Sequence, residues 1–192
     1  MPLRCTGPIE SVRTIVRLVE RSDLPALLVV NGDEQVTRFL PYETWKSPTD
    51  GRAWYARMAD LQAAGLALQF VVAARCSGAA IGTCLLFRYD AGSRRAELGY
   101  VLGRAYWGQG YMHEALTALI GEAFGAMGLR RLEAEVDPHN RASSQLLARL
   151  GFRKEGLLRE RWLGRNGAQD AEVHGLLERD WRQHAGSLPG IG

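Results

Sequence analysis

The chain has 192 residues, 46% of them apolar, and a formal net charge of +3. That length and apolar share build one domain with a full core and exclude a disordered chain, and the small charge, with no Lys/Arg run, excludes nucleic acid as the main ligand. Cys5, Cys76 and Cys84 form no Cys-x-x-Cys pair, no apolar run is long enough for a bilayer, and the N-terminus lacks a signal peptide's apolar stretch, so the expectation is a reduced, cytoplasmic protein with no disulfide framework, no metal site and no membrane contact.

In chain order, Val12 to Val19 is rich in β-branched residues and reads as a first strand. Asp23 caps a helix that starts at Leu24 and Pro25, runs to about Val30 and ends at Asn31-Gly32. Val36 to Trp45 is ambiguous, interrupted by Pro41 and followed by Pro48. Ser47-Pro48-Thr49-Asp50 opens a helix whose body is Ala53 to Ala64, ended by Gly65. Leu66 to Arg75 and Ala80 to Arg88 are two strands joined at Ser77-Gly78, a hairpin signal. After the Asp90 to Ser93 loop, Ala96 to Leu102 is a further strand. Tyr111 to Met127 carries Met112, Ala115, Leu119, Ala123 and Phe124 as a helical stripe that faces a sheet, with Gly128 as its end. Arg130 to Val136 alternates Leu132, Ala134 and Val136 with Glu133 and Glu135, a strand. Strand, helix, strand in this order makes the two strands parallel. Asn140 to Leu150 is a helix ended by Gly151. Phe152 to Trp162 and Ala168 to Leu177 form a last hairpin around Asn166-Gly167. Residues 1–184 thus read as a single α/β domain with a mixed central sheet, and residues 185–192 as a loose Gly/Pro-rich tail.

Gly108 and Gly110 stand where strand gives way to helix. Glycine lets the backbone turn tightly and leaves N–H groups uncovered. A helix N-terminus adds unpaired donors and a partial positive charge. Together they form a seat for a phosphate or pyrophosphate. A nucleoside triphosphate needs a lysine and a Ser/Thr after the loop, but the chain reads Tyr111-Met112-His113. A dinucleotide needs a third glycine where His113 stands, although an acidic residue, Glu133, does follow downstream. Coenzyme A needs backbone donors and no catalytic metal. A purely structural loop is the alternative on spacing alone.

Glu97-Leu98-Gly99-Tyr100 followed by Tyr106-Trp107-Gly108-Gln109-Gly110-Tyr111 resembles the acyl-CoA-binding motif of the GNAT N-acetyltransferase superfamily. Val136-Asp137-Pro138-His139-Asn140-Arg141-Ala142-Ser143, with Leu147 and Leu150-Gly151-Phe152, resembles that superfamily's next motif. The likeness runs from about Val12 to about Trp181 and is greatest to the ribosomal-protein alanine N-acetyltransferase branch. It implies a GNAT fold, a mixed central sheet with helices on both faces. It implies acetyl-CoA as cosubstrate, no metal, and an amine acceptor, either a protein N-terminus such as that of a ribosomal protein or a small-molecule amine. A homodimer is compatible with it. The strands ending at Leu102 and Val136 are implied to splay around the pantetheine arm, with backbone near Val101 and Leu102 pairing with the arm and an N–H near Val101 polarising the thioester. The implied phosphate contacts are Trp107, Gly108, Gln109, Gly110, Tyr111 and Met112, with Asn140 and Ser143 on the arm. One departure stands out: the superfamily's Arg or Gln three residues before the first loop glycine is Ala105 here, and Arg104 is one residue off. In the GNAT arrangement this region forms part of the acceptor pocket, which Phe39, Tyr42 and Trp45 are candidates to line; core or interface packing is an equal alternative for each.

Acetyl transfer from a thioester to an amine needs a deprotonated amine, a stabilised carbonyl oxygen and a proton for the departing thiolate. Glu97, on the strand face of Gly99 and Val101, is the preferred base. Glu135, five residues before Asn140, is the second candidate, and Glu133 ranks below it. An ion-paired surface carboxylate is the competing role for each. Ser143 is the candidate acid; its competing role is a first-turn hydroxyl beside an Asn140 cap. His113 and His139 read as surface residues, His174 as an ordinary sheet histidine, and Trp107 as loop packing. Two other functions compete with acetyl transfer: a non-catalytic acyl-CoA-binding sensor and a dinucleotide-binding oxidoreductase.

Overall fold

The computed structural model describes residues 2–164 and 167–185. Asn166 of the expected hairpin turn and residues 186–192 of the expected tail lie outside the described residues. Among those described, eight strands form one sheet: β1 (Ile9–Glu10), β2 (Thr14–Leu18), β3 (Leu68–Ala74), β4 (Ala80–Asp90), β5 (Arg95–Leu102), β6 (Arg131–Val136), β7 (Arg153–Gly164) and β8 (Gly167–Leu177). Their order is β1-β2-β3-β4-β5-β6-β8-β7. Every neighbouring pair is antiparallel except β5–β6, which is parallel, as the strand–helix–strand crossover requires.

The helices are α1 (Leu24–Asn31), α2 (Glu34–Thr37), α3 (Pro48–Ala63), α4 (Tyr111–Phe124), α5 (Arg141–Arg149) and α6 (Glu178–Ala185). They divide between the two faces of the sheet. Leu116, Leu119, Ile120 and Ala123 of α4 and Leu147 of α5 pack on Ala96, Leu98, Leu132 and Ala134. On the opposite face, Leu27 of α1 and Trp54 and Met58 of α3 pack on Val71 and Ala80, with Leu85 alongside. Strand β3, covered on both faces, is buried at every position. α3 starts where the sequence places it: the Ser47 hydroxyl accepts from the Thr49 amide, Asp50 accepts from the Ser47 amide, and Pro48 opens the first turn.

Three boundaries differ from the sequence reading. The first long strand begins at Thr14, because the Ser11 amide bonds the Thr14 carbonyl and folds Val12 and Arg13 into a tight turn between β1 and β2. Helix α4 stops at Phe124. Gly125 leaves helical geometry there, and the Leu129 amide returns to the Ala123 carbonyl at 2.9 Å, so Met127 covers the helix end without belonging to it. α6 was not foreseen; Ala185, expected in the tail, is its last residue, and Trp181 is buried in the main core. No helix among the described residues is long and apolar enough to cross a membrane.

Candidate active site

The parallel ladder between β5 and β6 consists of Arg95↔Arg131, Ala96↔Leu132 and Glu97↔Glu133, and stops there. β5 continues to Leu102 beside β4, and β6 continues to Val136 beside β8. The two central strands therefore diverge beyond Glu97, which leaves an opening edged by backbone in the middle of the sheet. The pleat decides which groups line it. The Gly103 amide bonds the Ile81 carbonyl across β4, and backbone direction alternates along a strand. Val101, Gly99 and Glu97 consequently turn their backbone groups to β4, whereas Leu98, Tyr100 and Leu102 turn theirs to the opening. The Leu102 carbonyl is taken by the Trp107 indole N–H at 2.7 Å. The Leu98 amide closes the last rung with Glu133, so the backbone facing the opening is the Leu98 carbonyl, Tyr100 and the Leu102 amide; of the expected Val101 and Leu102, Val101 faces β4.

Where β5 ends, one turn of tight helix, Arg104–Tyr106, leads into the glycine loop. Gly108 and Gly110 both adopt left-handed backbone, with φ of 71° and 81°, which only glycine accepts without strain. Gly110 is the N-cap of α4 and brings no side chain to its first-turn amides. The Gln109 side chain bonds the Ala105 carbonyl and Tyr111 packs edge-on against Tyr106, so both hold the loop. The Met112 side chain is buried in the main core against Cys84, which leaves only its backbone to serve the loop.

A cation reaches this loop from a distant part of the chain. Arg13, in the β1–β2 turn, donates to the Gln109 carbonyl at 3.0 Å and to Glu114 at 2.7 Å, and its guanidinium lies 4.5 Å from the Tyr111 ring centroid. A Cβ built on Gly110 stands 3.4 Å from Arg13 Nη2. Glu114, on the first turn of α4, is held below the usual carboxylate range: burial pushes it up, but the Arg13 amide, the Ser11 hydroxyl and the Arg13 guanidinium outweigh that. Arg104, the residue nearest the missing motif position, turns instead to Asp33 at 2.9 Å. Sequence reading missed Arg13 because it is 97 residues from Gly110; an arginine in a turn of small polar residues carries no signal of its destination.

Below the opening, on the α4/α5 face, the Tyr100 hydroxyl meets the Ser143 hydroxyl at 2.6 Å. Tyr100 comes from β5 and Ser143 from the first turn of α5, so this pair bridges the diverging halves. Burial pushes the Tyr100 phenol up to about 12, against the pull of the Ser143 bond, which keeps it a neutral donor. Asn140 caps α5 by accepting the Ser143 amide at 3.2 Å. Both Asn140 and Ser143 thus sit at the opening, and Ser143 spends its side chain on Tyr100. Tyr100 is the second residue the sequence reading passed over as a site residue.

The other face of the opening carries the carboxylates. Glu97 is 8% exposed and lies beside Glu133 and Glu135 of β6. Gly99 has no side chain, so the strand surface between Glu97 and Val101 is bare apart from Phe87 and Leu85. Burial raises the Glu97 carboxyl, the Arg88 guanidinium opposes that, and Glu135 and Glu133 add to the rise. Glu133 is shared by Arg95 and Arg131 at 2.7 and 2.8 Å, which makes it a structural ion pair. Glu135 is held by Arg161 at 3.0 Å. The residues proposed for the acceptor side are split: Trp45 is core, 5.4 Å centroid to centroid from Trp54, and Tyr42 donates to Asn31 at 2.9 Å. His139 is exposed and pairs with Asp137; His174 is buried in β8 and pairs with Glu172 at 3.3 Å.

Known proteins resemble this chain in sequence and fold. The family model described as an acetyltransferase (GNAT) domain matches residues 13–153. An uncharacterized N-acetyltransferase of Bacillus licheniformis is 34% identical over 169 residues, covering 88% of this chain and 95% of its own. A [ribosomal protein uS5]-alanine N-acetyltransferase of Escherichia coli is 40% identical over 84 residues, 44% of this chain and 43% of that protein. Among solved structures, the ribosomal-protein-S5-alanine acetyltransferase of Vibrio fischeri superposes with a TM-score of 0.74 at 26% identity, covering 91% of this chain and 98% of that one.

Proposed function

The chain belongs to the GNAT acetyltransferase family, and from that premise we propose that it moves the acetyl group of acetyl-CoA directly to a primary amine, a protein N-terminus or a small-molecule amine. The observation that carries this reading is the opening between β5 and β6, edged by Leu98, Tyr100 and Leu102 and leading into the Gly108–Gly110 loop. Coenzyme A fits these residues: a pyrophosphate needs close backbone approach at Gly110, which any Cβ would obstruct, and the extended arm needs an unpaired strand edge. The thioester supplies an activated acetyl group. The chain's own residues do the rest. The amides on the open edge of β5 polarise the carbonyl. Glu97 takes the proton of the acceptor amine across the bare surface at Gly99, directly or through water. Ser143, backed by the neutral Tyr100 hydroxyl, gives a proton to the departing sulfur. Two relatives are named as alanine acetyltransferases of a ribosomal protein, which supports an N-terminal acceptor among the classes to be tried.

Calorimetric titration with acetyl-CoA, followed by an acceptor screen that reads free thiol, tests the proposal. Binding with thiol release on a peptide or small amine is expected. Binding with no release on any acceptor points instead to the sensor reading, and no binding overturns the cofactor assignment. Arg13 supplies the side-chain cation that Ala105 does not. Arg13→Ala is expected to weaken acetyl-CoA binding by about 10- to 100-fold, the worth of one charged hydrogen bond. Affinity for S-acetyl-pantetheine, which has no phosphate, should stay the same. An equal loss for both ligands would mean that Arg13 only holds the loop.

A further inference from the structure

Both candidate bases meet guanidinium groups that arrive by strained backbone. A regular strand would turn Arg88 away from the face of its neighbour Phe87, which pairs with Glu97. The β4–β5 register shifts after Phe87, and Arg88 adopts a left-handed φ of 50°. Such a conformation costs about 1 kcal/mol or more for a non-glycine residue, and bulges re-aim side chains. Here the result is that Arg88 Nη1 binds Glu97 at 2.7 Å and lies 3.4 Å from Glu135. The same device recurs on β7. Its register with β8 shifts between Leu158 and Trp162, Glu160 has a φ of 51°, and its amide is tied to Asp170 at 2.8 Å. That bulge delivers Arg161 to Glu135 and Trp162 to both arginines, each guanidinium carbon 5.2 Å from the indole centroid.

The groups facing Glu97 are therefore Arg88 from β4, Glu133 and Glu135 from β6 and Arg161 from β7. Of these, Glu133 is already matched by Arg95 and Arg131. Glu97 and Glu135 balance Arg88 and Arg161, so the site has no surplus negative charge to draw a polycation. Arg88 holds one oxygen of Glu97, Oε2, and so competes with an incoming ammonium for the carboxylate.

We propose that Arg88 is an acceptor gate: it yields Glu97 to the incoming amine and, kept in place by Trp162, takes an anionic group on the same acceptor. Exchange of one ion pair for two leaves no charge stranded, and this selects amines that carry a carboxylate or other anion over polyamines and plain alkylamines. The inference rests on the acetyltransferase reading; Arg88 binds the acceptor's anion and, by leaving Glu97, opens that carboxylate to the amine.

The test has two arms. In the first, thiol release is measured with matched acceptors: amino acids against their carboxamides, 4-aminobutyrate against butylamine, and spermidine. The anionic member of each pair is expected to have a kcat/KM at least about tenfold higher, and Arg88→Gln should bring each pair within about twofold, with Arg88→Lys intermediate. In the second, carbon-13 NMR follows the Glu97 carboxyl titration without any cosubstrate. Arg88→Gln should move its midpoint upward, because burial and the Glu133 and Glu135 charges then act unopposed. A preference for butylamine or spermidine overturns the gate, and so does an unmoved midpoint. Failure of the acetyltransferase reading is seen separately, as absence of acetyl-CoA binding by the wild-type chain.

Discussion

Gly110→Glu abolishes acetyl-CoA binding, a loss of at least about 100-fold, or about 2.7 kcal/mol. Two effects combine. The position has a φ of 81°, which a residue with a Cβ holds only with strain. The new carboxylate also meets Arg13, whose Nη2 is 3.4 Å from the added Cβ and which is already paired with Glu114, and thereby puts surplus negative charge and bulk in the phosphate seat. Gly110→Ala separates the two effects, because it adds the strain and the bulk of one methyl but no charge. It should melt close to the glutamate variant, because the backbone strain is shared, while binding acetyl-CoA more tightly than that variant does. Calorimetry alongside a thermal melt distinguishes a blocked seat from an unfolded chain. Unchanged affinity in Gly110→Glu would remove the loop from the cofactor site.

Glu97→Gln is the second large effect. The amide keeps the shape and leaves Arg88 paired with Glu135, so the fold should hold, yet it cannot accept the amine proton. A general base is worth on the order of 10²–10⁴ in rate, and kcat should fall within that range while the acetyl-CoA affinity changes by less than about twofold. The pH dependence gives the sign. Burial raises the Glu97 carboxyl above the ordinary range for glutamate, and Arg88 only partly offsets it. A base must be ionised to act. The wild-type rate is therefore lost as pH falls through that raised value and fully present above it, and this limb should be missing in the variant. An unchanged kcat with the limb intact would transfer the role to Glu135 or to water.

Local signals were legible where one residue type decides the outcome within a few positions. Gly108 and Gly110 marked a tight turn, Ser47 to Asp50 a helix start, and Leu132, Ala134 and Val136 an alternating strand; the structure has a left-handed loop, a capping box and a strand with one buried face there. The same local logic failed at Met127, because the chain that leaves α4 folds back over the helix end and extends its apolar stripe. At Trp45 it left core and pocket open, because composition alone does not assign an aromatic residue to either, and packing on Trp54 decides for the core.

By itself, then, the order of residues determined most of the strands and helices, the parallel crossover, the Gly108–Gly110 loop and the resemblance to the GNAT pattern, since propensity, period and turn chemistry act between neighbours along the chain. The tertiary structure alone decided which backbone groups face the opening, because pleat direction depends on how β5 registers against β4. It alone brought Arg13 to Gly110, Tyr100 to Ser143, and Arg88 and Trp162 to Glu97. The first two join segments 97 and 43 residues apart and the last turns on the bulges in β4 and β7, and no local rule of sequence carries contact across such distances.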